Sequence, residues 1–204
     1  MTTARDLMIV TLDGPAARPV EQGDLSLALA GAELADLLTG GYVTLDGDRV
    51  VPGARPATGD RLLDEAGAAL VDGPPYETVE DWLWRRGRGL AAAYASEAEP
   101  PAGERHRWTP HRPARRSPAD TAGDTAADTP ARREAAGRWA SGDPVLRGLA
   151  AAAGAGEPGE LPAPDDDSLT AVLAAVNDAV TELEAVRQRR RIEDAAFDNI
   201  WRAP

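Results

Sequence analysis

Within its first third the chain reads Pro56-Ala57-Thr58-Gly59-Asp60-Arg61-Leu62-Leu63-Asp64-Glu65-Ala66. Thr58 stands where the N-cap of a helix is expected, and Asp60 places negative charge in the first turn of that helix. Leu62 and Leu63 are expected to fill the core from a helix that runs to about Val71. These residues therefore predict structure, and they are not themselves a candidate site.

The residues before this motif predict a helix followed by a β-hairpin. Apolar residues recur at helical spacing from Leu25 to Leu38, and Gly40-Gly41 supplies a C-terminal stop. Tyr42 to Val51 then reads as two short strands around Asp46-Gly47, a dipeptide that favours a type I′ turn. Nearer the N-terminus, residues 6–12 form a short apolar segment that is either helix or strand.

The residues after the motif predict further helices. Thr78 is expected to cap a helix that runs to about Ser96, and a second helical pattern covers Ala131–Ala153 with a break at Asp143-Pro144. The last helix is expected to begin at a Ser168 cap. It carries one apolar stripe at helical spacing, formed by Leu169, Val172, Leu173, Val176, Val180 and Leu183.

The predicted fold class is mainly α with a short β-hairpin, arranged as a single domain over residues 1–204. Residues 98–130 are rich in Pro, Ala, Gly and Thr and poor in large apolar residues, so they are predicted to be a flexible insertion. Residues 154–167 are a Gly/Pro/Asp-rich segment and are predicted to link the rest of the domain to the C-terminal helix.

Composition excludes several classes of function. The chain has no Cys, which removes disulfides, thiolate catalysis and Cys-ligated zinc. Its net charge of −12 argues against general nucleic-acid binding. Arg85–Arg147 nevertheless carries 12 Arg against 8 acidic residues, so an anion-binding surface is expected to use the middle of the chain.

The sequence also predicts where the protein works. No apolar run approaches the ~20 residues that span a bilayer. Leu7–Val10 is too short for the core of a signal peptide. We therefore expect a cytoplasmic protein. All 22 basic residues are Arg and none is Lys, which indicates a GC-rich, bacterial genome.

The motif at residues 56–66 resembles the Pro-Thr-Gly-Asp-x-Leu-Leu-Asp-Glu-Ala signature of the Golgi phosphoprotein 3 family. Three other blocks resemble the same family in the same order: Arg5-Asp6-Leu7, residues 32–45 and residues 74–83. The resemblance covers residues 4–96 closely and residues 131–153 loosely. It implies a mainly helical domain with a hydrophobic central helix and a protruding β-hairpin.

The resemblance also implies a function. Eukaryotic members bind phosphatidylinositol 4-phosphate and hold glycosyltransferases at the Golgi by their cytoplasmic tails. Their lipid pocket combines a Trp before the first core helix, an Arg inside that helix and basic residues on a later helix. In this chain the Trp position falls near Glu21 and the Arg position falls on Ala30, so both are replaced.

The later basic set has candidates in Arg85, Arg86 and Arg88, of which Arg85 and Arg88 share a helical face at i, i+3. A phosphomonoester needs several guanidinium or ammonium donors that converge on it. These residues are the candidate lipid-headgroup site. The alternative is a solvated Arg face on an amphipathic helix.

Trp108 lies between Arg107 and Arg112, where the family places a membrane-dipping hairpin. A Trp among arginines suits a lipid headgroup layer, so these three residues are candidate membrane contacts, the alternative being a partly packed loop Trp. The C-terminal cluster at residues 187–191 could attract anionic lipid, or it could favour the C-terminal end of the helix dipole. No metal site and no cofactor are expected.

The leading hypothesis is a peripheral membrane-surface adaptor, on the inner face of the membrane, that binds anionic phospholipid headgroups and a protein partner. The alternative is a protein-binding regulator on the same fold that has lost the phosphatidylinositol 4-phosphate pocket, as the replacements at Glu21 and Ala30 favour. An enzyme is not expected, because the chain has no Gly-rich phosphate loop, no Gly-x-Ser-x-Gly, no His-Glu-x-x-His and no Lys. The protein partner and the oligomeric state stay open.

Overall fold

A computed structural model of the protein describes residues 2–13, 20–55, 57–98, 129–156 and 162–202. It is mainly helical with one hairpin, as predicted. The elements are α1 (Thr3–Asp13), α2 (Gln22–Thr39), β1 (Val43–Asp46), β2 (Arg49–Pro52), α3 (Arg61–Ala68), α4 (Val79–Arg86), α5 (Leu90–Ala98), α6 (Pro130–Ser141), α7 (Pro144–Ala152) and α8 (Asp167–Arg202).

Helix α2 is the centre of the molecule. It is buried along almost its whole length, and α1, α3, α4, α5, α7 and α8 all pack on it. A helix that is buried on nearly every side is stable only when other elements surround it in this way. At Gly31 a Cβ atom would overlap Val176 Cγ2, so the glycine lets α8 approach α2 closely.

The hairpin pairs β1 with β2 in antiparallel register, with Val43 opposite Pro52 and Asp46 opposite Arg49. The predicted strands are confirmed, but the predicted type I′ turn is wrong. The central residues of the turn are Gly47 and Asp48, and a type I′ turn needs positive φ at both. Only Gly47 has a positive φ, of 61°. A glycine with positive φ at the first central position is typical of a type II′ turn.

The start of α3 differs from the prediction. Its N-cap is Asp60, whose Oδ1 accepts from the backbone N–H groups of Leu62 and Leu63 at 3.1 and 3.2 Å. Thr58 lies two residues earlier, where its hydroxyl accepts from Asp60 N and donates to Asp64. Asp60 also pairs with Arg5, which ties α1 to this motif.

Asp60→Ala is expected to lower the free energy of unfolding by about 1–2 kcal/mol near neutral pH, the range of a lost N-cap. Burial alone would raise the pKa of Asp60, but hydrogen bonds from Arg5 and two backbone N–H groups outweigh burial and hold this pKa below its usual range. The contribution is therefore present above about pH 4, the usual Asp pKa, and is lost as pH falls through the lower folded value.

Chemical denaturation at a series of acid pH values measures the difference in free energy of unfolding between wild type and Asp60→Ala. Asp72→Ala is a matched control, since Asp72 pairs with Arg55 on the exposed surface and such pairs contribute little. A difference between wild type and Asp60→Ala that persists unchanged into strong acid would contradict the assignment of Asp60 as a charged cap.

The remaining helices follow the predicted pattern with two corrections. The helix predicted to run to Ser96 is divided into α4 and α5 by the turn Gly87–Gly89. The cap of α8 is Asp166, whose Oδ1 accepts from the backbone N–H groups of Ser168 and Leu169, so the predicted Ser168 cap is wrong. The predicted break at Asp143-Pro144 is confirmed, because α7 begins there with Asp143 as its cap.

Helix α8 is 36 residues long, and its first half packs on the body through the predicted stripe, with Val172, Val176 and Val180 buried. Its later part is exposed, including Ile192. Within the described ranges, no helix combines the length and apolarity that crossing a bilayer requires. The predicted insertion lies almost entirely in residues 99–128, outside the described residues.

Candidate functional site

The helix that carries the predicted lipid-headgroup arginines, α4, is fixed by the hairpin. Thr78 and Asp81 form a capping box at its start, as the sequence predicted for Thr78. Backbone hydrogen bonds of 2.9 Å join Val79 N to Asp48 O and Val50 N to Glu77 O. The hairpin and the N-terminus of α4 are therefore one continuous structure.

Arg85 lies on the outer face of α4 and is 43% exposed. Its guanidinium group donates to Glu77 from Nε and Nη2, with a shortest distance of 2.7 Å, and also donates to the Ala69 carbonyl. The guanidinium lies 5.3 Å from the ring centre of Trp82. The charge of Arg85 is therefore already compensated by a carboxylate within the same molecule.

Arg86 points into the protein. Its Nε and Nη2 atoms bind the Glu33 carboxylate at 2.7 and 2.8 Å, and Nη2 also donates to the Leu62 carbonyl. The Glu33 side chain is fully buried and also accepts from the Tyr94 hydroxyl at 3.1 Å. Arg86 thus compensates a buried charge in the core, and its guanidinium does not face the surface that Arg85 faces.

Burial of this network affects each of its acids. Burial raises the pKa of Glu33, while the hydrogen bonds and charge of Arg86 act in the opposite direction. Burial and then the Glu33 charge raise the pKa of Tyr94 well above its usual range. The buried Glu33 carboxylate therefore has hydrogen-bond donors in both Arg86 and Tyr94.

Arg88 lies in the turn between α4 and α5 and is exposed. In the part of the chain that the structure describes, it forms no ion pair. It is thus the member of the predicted set whose charge is available for an external anion.

A shallow depression of about 660 Å³ brings Arg85 and Arg88 together with residues that the sequence did not single out. Arg49 reaches it from the hairpin, and Trp84 and Tyr76 supply aromatic surface. Glu77 and Asp81 also line it and offset part of the positive charge. We call this surface the arginine depression.

A second depression, of about 320 Å³, lies on the other side of Trp84 and Arg88. It is lined by Gln22, Gly23 and Ser26 from the first turns of α2. The N-cap residue of α2, Glu21, makes no side-chain hydrogen bond to those turns. Trp84 and Arg88 therefore form a ridge between the arginine depression and the N-terminal end of the central helix.

Comparison with known proteins gives one match. The family model for Golgi phosphoprotein 3 (GPP34) matches residues 4–203. The chain belongs to the Golgi phosphoprotein 3 family. No curated protein and no solved structure matches it.

In this Golgi phosphoprotein 3 family member, the two replaced pocket positions lie in different environments. Ala30 is fully buried, and its carbonyl accepts from Trp82 Nε1 at 3.1 Å. Glu21 is exposed at the start of α2. An Arg at position 30 would have to enter the core, so this part of the pocket could not be restored without disturbing α2 and α4.

The other predicted contacts lie elsewhere. Trp108, Arg107 and Arg112 fall outside the described residues, so their role as membrane contacts stays a prediction. In the C-terminal cluster, Arg187 pairs with Asp24 at 2.6 Å, while residues 189–191 are exposed. Among the described residues, no group of three His, Asp or Glu side chains is placed to hold a metal ion.

Sequence reasoning missed Arg49, Trp84 and Glu77. The spacing of Trp84 and Arg88, four residues apart, could have indicated that an aromatic ring accompanies the free arginine. Arg49 and Glu77 are brought to α4 by the hairpin, and no local pattern in the sequence signals that contact.

Proposed function

We propose that the protein is a peripheral adaptor that binds anionic lipid headgroups at the arginine depression and a protein partner elsewhere. The observation that carries the proposal is Arg88, an exposed and unpaired guanidinium in the described structure, beside Trp84 and close to Arg49 and Arg85. Arginine donors suit phosphate oxygens, and a Trp ring suits the layer between headgroups and acyl chains.

The proposed binding is weak and shows little headgroup specificity. Arg85 has to share its donors with Glu77, and Arg86 is held by Glu33. A specific phosphomonoester pocket needs several free donors at fixed positions. Attraction of Arg88 and its neighbours to a negatively charged surface needs no such arrangement, and it weakens with salt.

Liposome co-sedimentation tests the proposal, with and without anionic phospholipid and at low and physiological salt. Arg85→Ala/Arg88→Ala is expected to lower the membrane partition coefficient at least about fivefold, since a basic residue near an anionic surface contributes about 1 kcal/mol and Glu77 already compensates Arg85. Arg189→Ala/Arg190→Ala removes the same charge from exposed positions on α8. It is expected to have a smaller effect, because Glu193 and Asp194 offset that cluster.

Two results would contradict the proposal in different ways. Tight binding to one phosphoinositide that survives Arg85→Ala/Arg88→Ala would mean that the lipid site lies elsewhere. If the control variant loses as much binding as Arg85→Ala/Arg88→Ala, the interaction is diffuse charge attraction and does not use the arginine depression.

The second candidate is a protein-binding regulator without a lipid site. It is favoured by the intramolecular pairing of Arg85 and Arg86 and by the burial of Ala30. Failure to bind any anionic liposome at low salt, by a protein that is folded by circular dichroism, would decide for this candidate. No catalytic activity is proposed.

A further inference from the structure

The arginine depression is already partly occupied by hydrogen-bond acceptors from its own chain. The segment that precedes α4 runs along it and forms part of its lining. Arg49 Nη1 donates to the Tyr76 carbonyl of this segment at 2.9 Å. Arg85 donates to the carboxylate of the next residue, Glu77. Two of the three arginines that line the depression are therefore bound within the same molecule.

Glu77 occupies the donors of Arg85 that a phosphate would use. Arg85 Nε and Nη2 donate to Glu77 Oε2 at 3.0 and 2.8 Å, and Nη2 also donates to Oε1 at 2.7 Å. Neighbouring N–H groups of a guanidinium bind two oxygens of a carboxylate or of a phosphate in this way. Arg85 thus reaches the surface with two of its three nitrogen atoms already bonded to a carboxylate.

Glu77 stays beside Arg85 because its backbone is fixed by contacts that do not involve the ion pair. Its carbonyl accepts from Val50 N at 2.9 Å, which attaches it to β2. The next residue, Thr78, is the N-cap of α4 and forms the capping box there. The carboxylate is therefore an internal competitor, present at a high local concentration for every ligand that approaches Arg85.

We propose that Glu77 determines the anion specificity of the arginine depression, by occupying Arg85 in place of a phosphomonoester headgroup. This inference rests on the proposed lipid-binding function and names the residue that withholds headgroup specificity from it. While Glu77 holds Arg85, the exposed charge of Arg88 attracts any anionic headgroup. Once Glu77 is neutral, Arg85 and Arg88 can both bind one phosphate.

The charge of the headgroup explains why the wild type does not discriminate. A phosphomonoester carries about −1.5 to −2 charges and three terminal oxygens, so it suits two arginines better than a phosphodiester does. To reach Arg85, however, it would have to displace Glu77, whose side chain is only 7% exposed. The displaced carboxylate would be left nearly buried and unpaired beside the phosphate, and their repulsion grows with the charge of the phosphate. Glu77 therefore cancels the advantage of the phosphomonoester.

Vesicle co-sedimentation tests the inference with two lipid compositions that are matched in zeta potential. One contains phosphatidic acid, a phosphomonoester, and the other contains phosphatidylglycerol, a phosphodiester, each in phosphatidylcholine. The readout is the ratio of the two partition coefficients, from which general charge attraction cancels. The wild type is expected to bind both within about twofold, while Glu77→Gln should prefer phosphatidic acid at least about fivefold, since charge-assisted hydrogen bonds become available.

Three further variants show whether the preference depends on Arg85. Glu80→Gln makes the same charge change at an exposed position of α4 outside the depression and should leave the ratio at the wild-type value. Arg85→Ala/Glu77→Gln should return the ratio to the wild-type value, because the gain is made through Arg85. Glu77→Ala also removes the carboxylate and should raise the ratio as Glu77→Gln does. Circular dichroism establishes that each variant is folded.

Equal ratios for Glu77→Gln and Glu80→Gln would overturn the inference and leave the lipid-binding function intact. A raised ratio that persists in Arg85→Ala/Glu77→Gln would also overturn it, because Arg85 would not carry the preference. If neither Glu77→Gln nor Glu77→Ala folds, the ion pair is needed for the structure and the inference is wrong. Failure of both the wild type and Glu77→Gln to bind either vesicle would reject the lipid-binding function itself.

Discussion

Glu33→Ala is expected to lower the free energy of unfolding by about 3–5 kcal/mol, the cost of removing one partner from a buried ion pair. The Glu33 carboxylate is fully buried and accepts two hydrogen bonds from Arg86 and one from Tyr94. Its loss leaves the half-buried Arg86 guanidinium with only the Leu62 carbonyl as partner. Equilibrium unfolding in urea measures the difference.

Glu65→Ala is the matched control, because it removes a glutamate from an exposed ion pair with Arg61 on α3. It is expected to cost no more than about 1 kcal/mol. Glu33→Leu/Arg86→Met should recover much of the stability that Glu33→Ala loses, since a buried pair can often be replaced by apolar side chains. If Glu33→Ala and Glu65→Ala cost the same, the assignment of Arg86 to the core is wrong.

The pH dependence of Arg86→Met gives an independent check. Burial raises the pKa of Glu33, and this variant removes the guanidinium that opposes that effect. A carboxyl group whose folded pKa lies above its unfolded value is most stabilising below the unfolded pKa. Arg86→Met should therefore lose stability, relative to wild type, as the pH rises through the folded pKa of Glu33.

Sequence reasoning recovered the elements whose signals are local. The hairpin strands, the helix cap at Thr78, the break at Asp143-Pro144 and the apolar stripe of α8 depend on neighbouring residues and on helical spacing. The motif at residues 56–66 identified the family, even though the predicted N-cap, Thr58, lies two residues before the observed N-cap, Asp60. Thr58 and Asp60 both suit an N-cap, and the choice between them depends on where α3 begins.

The candidate site was harder to predict because its decisive contacts are distant in sequence. Spacing predicted one helical face for Arg85 and Arg88, but α4 ends at Arg86 and Arg88 lies in the following turn. Both nevertheless line the arginine depression. Spacing could not show that Glu33, 53 residues away, takes Arg86 into the core. Nor could it show that the hairpin brings Arg49 to the same surface.

Ala30→Arg is expected to lower the free energy of unfolding by about 3–5 kcal/mol and to leave phosphoinositide binding unimproved. The substitution restores an arginine at the family's pocket position, but Ala30 is fully buried and its carbonyl accepts from the Trp82 indole N–H. An Arg side chain there overpacks the contact between α2 and α4, and it places an unpaired charge in the core. Denaturant unfolding and liposome binding measure the two outcomes.

Ala151→Arg makes the same substitution at an exposed position on α7 and should change stability by no more than about 0.5 kcal/mol. Glu21→Trp restores the other pocket position, which is exposed at the start of α2, and is expected to be tolerated similarly. A stable Ala30→Arg protein that gains selective binding to a phosphoinositide would contradict the structure directly. Such a result would require position 30 to face the second depression. The replacements at positions 21 and 30 would then be the whole reason for the missing pocket, and the packing of α2 would not prevent its restoration.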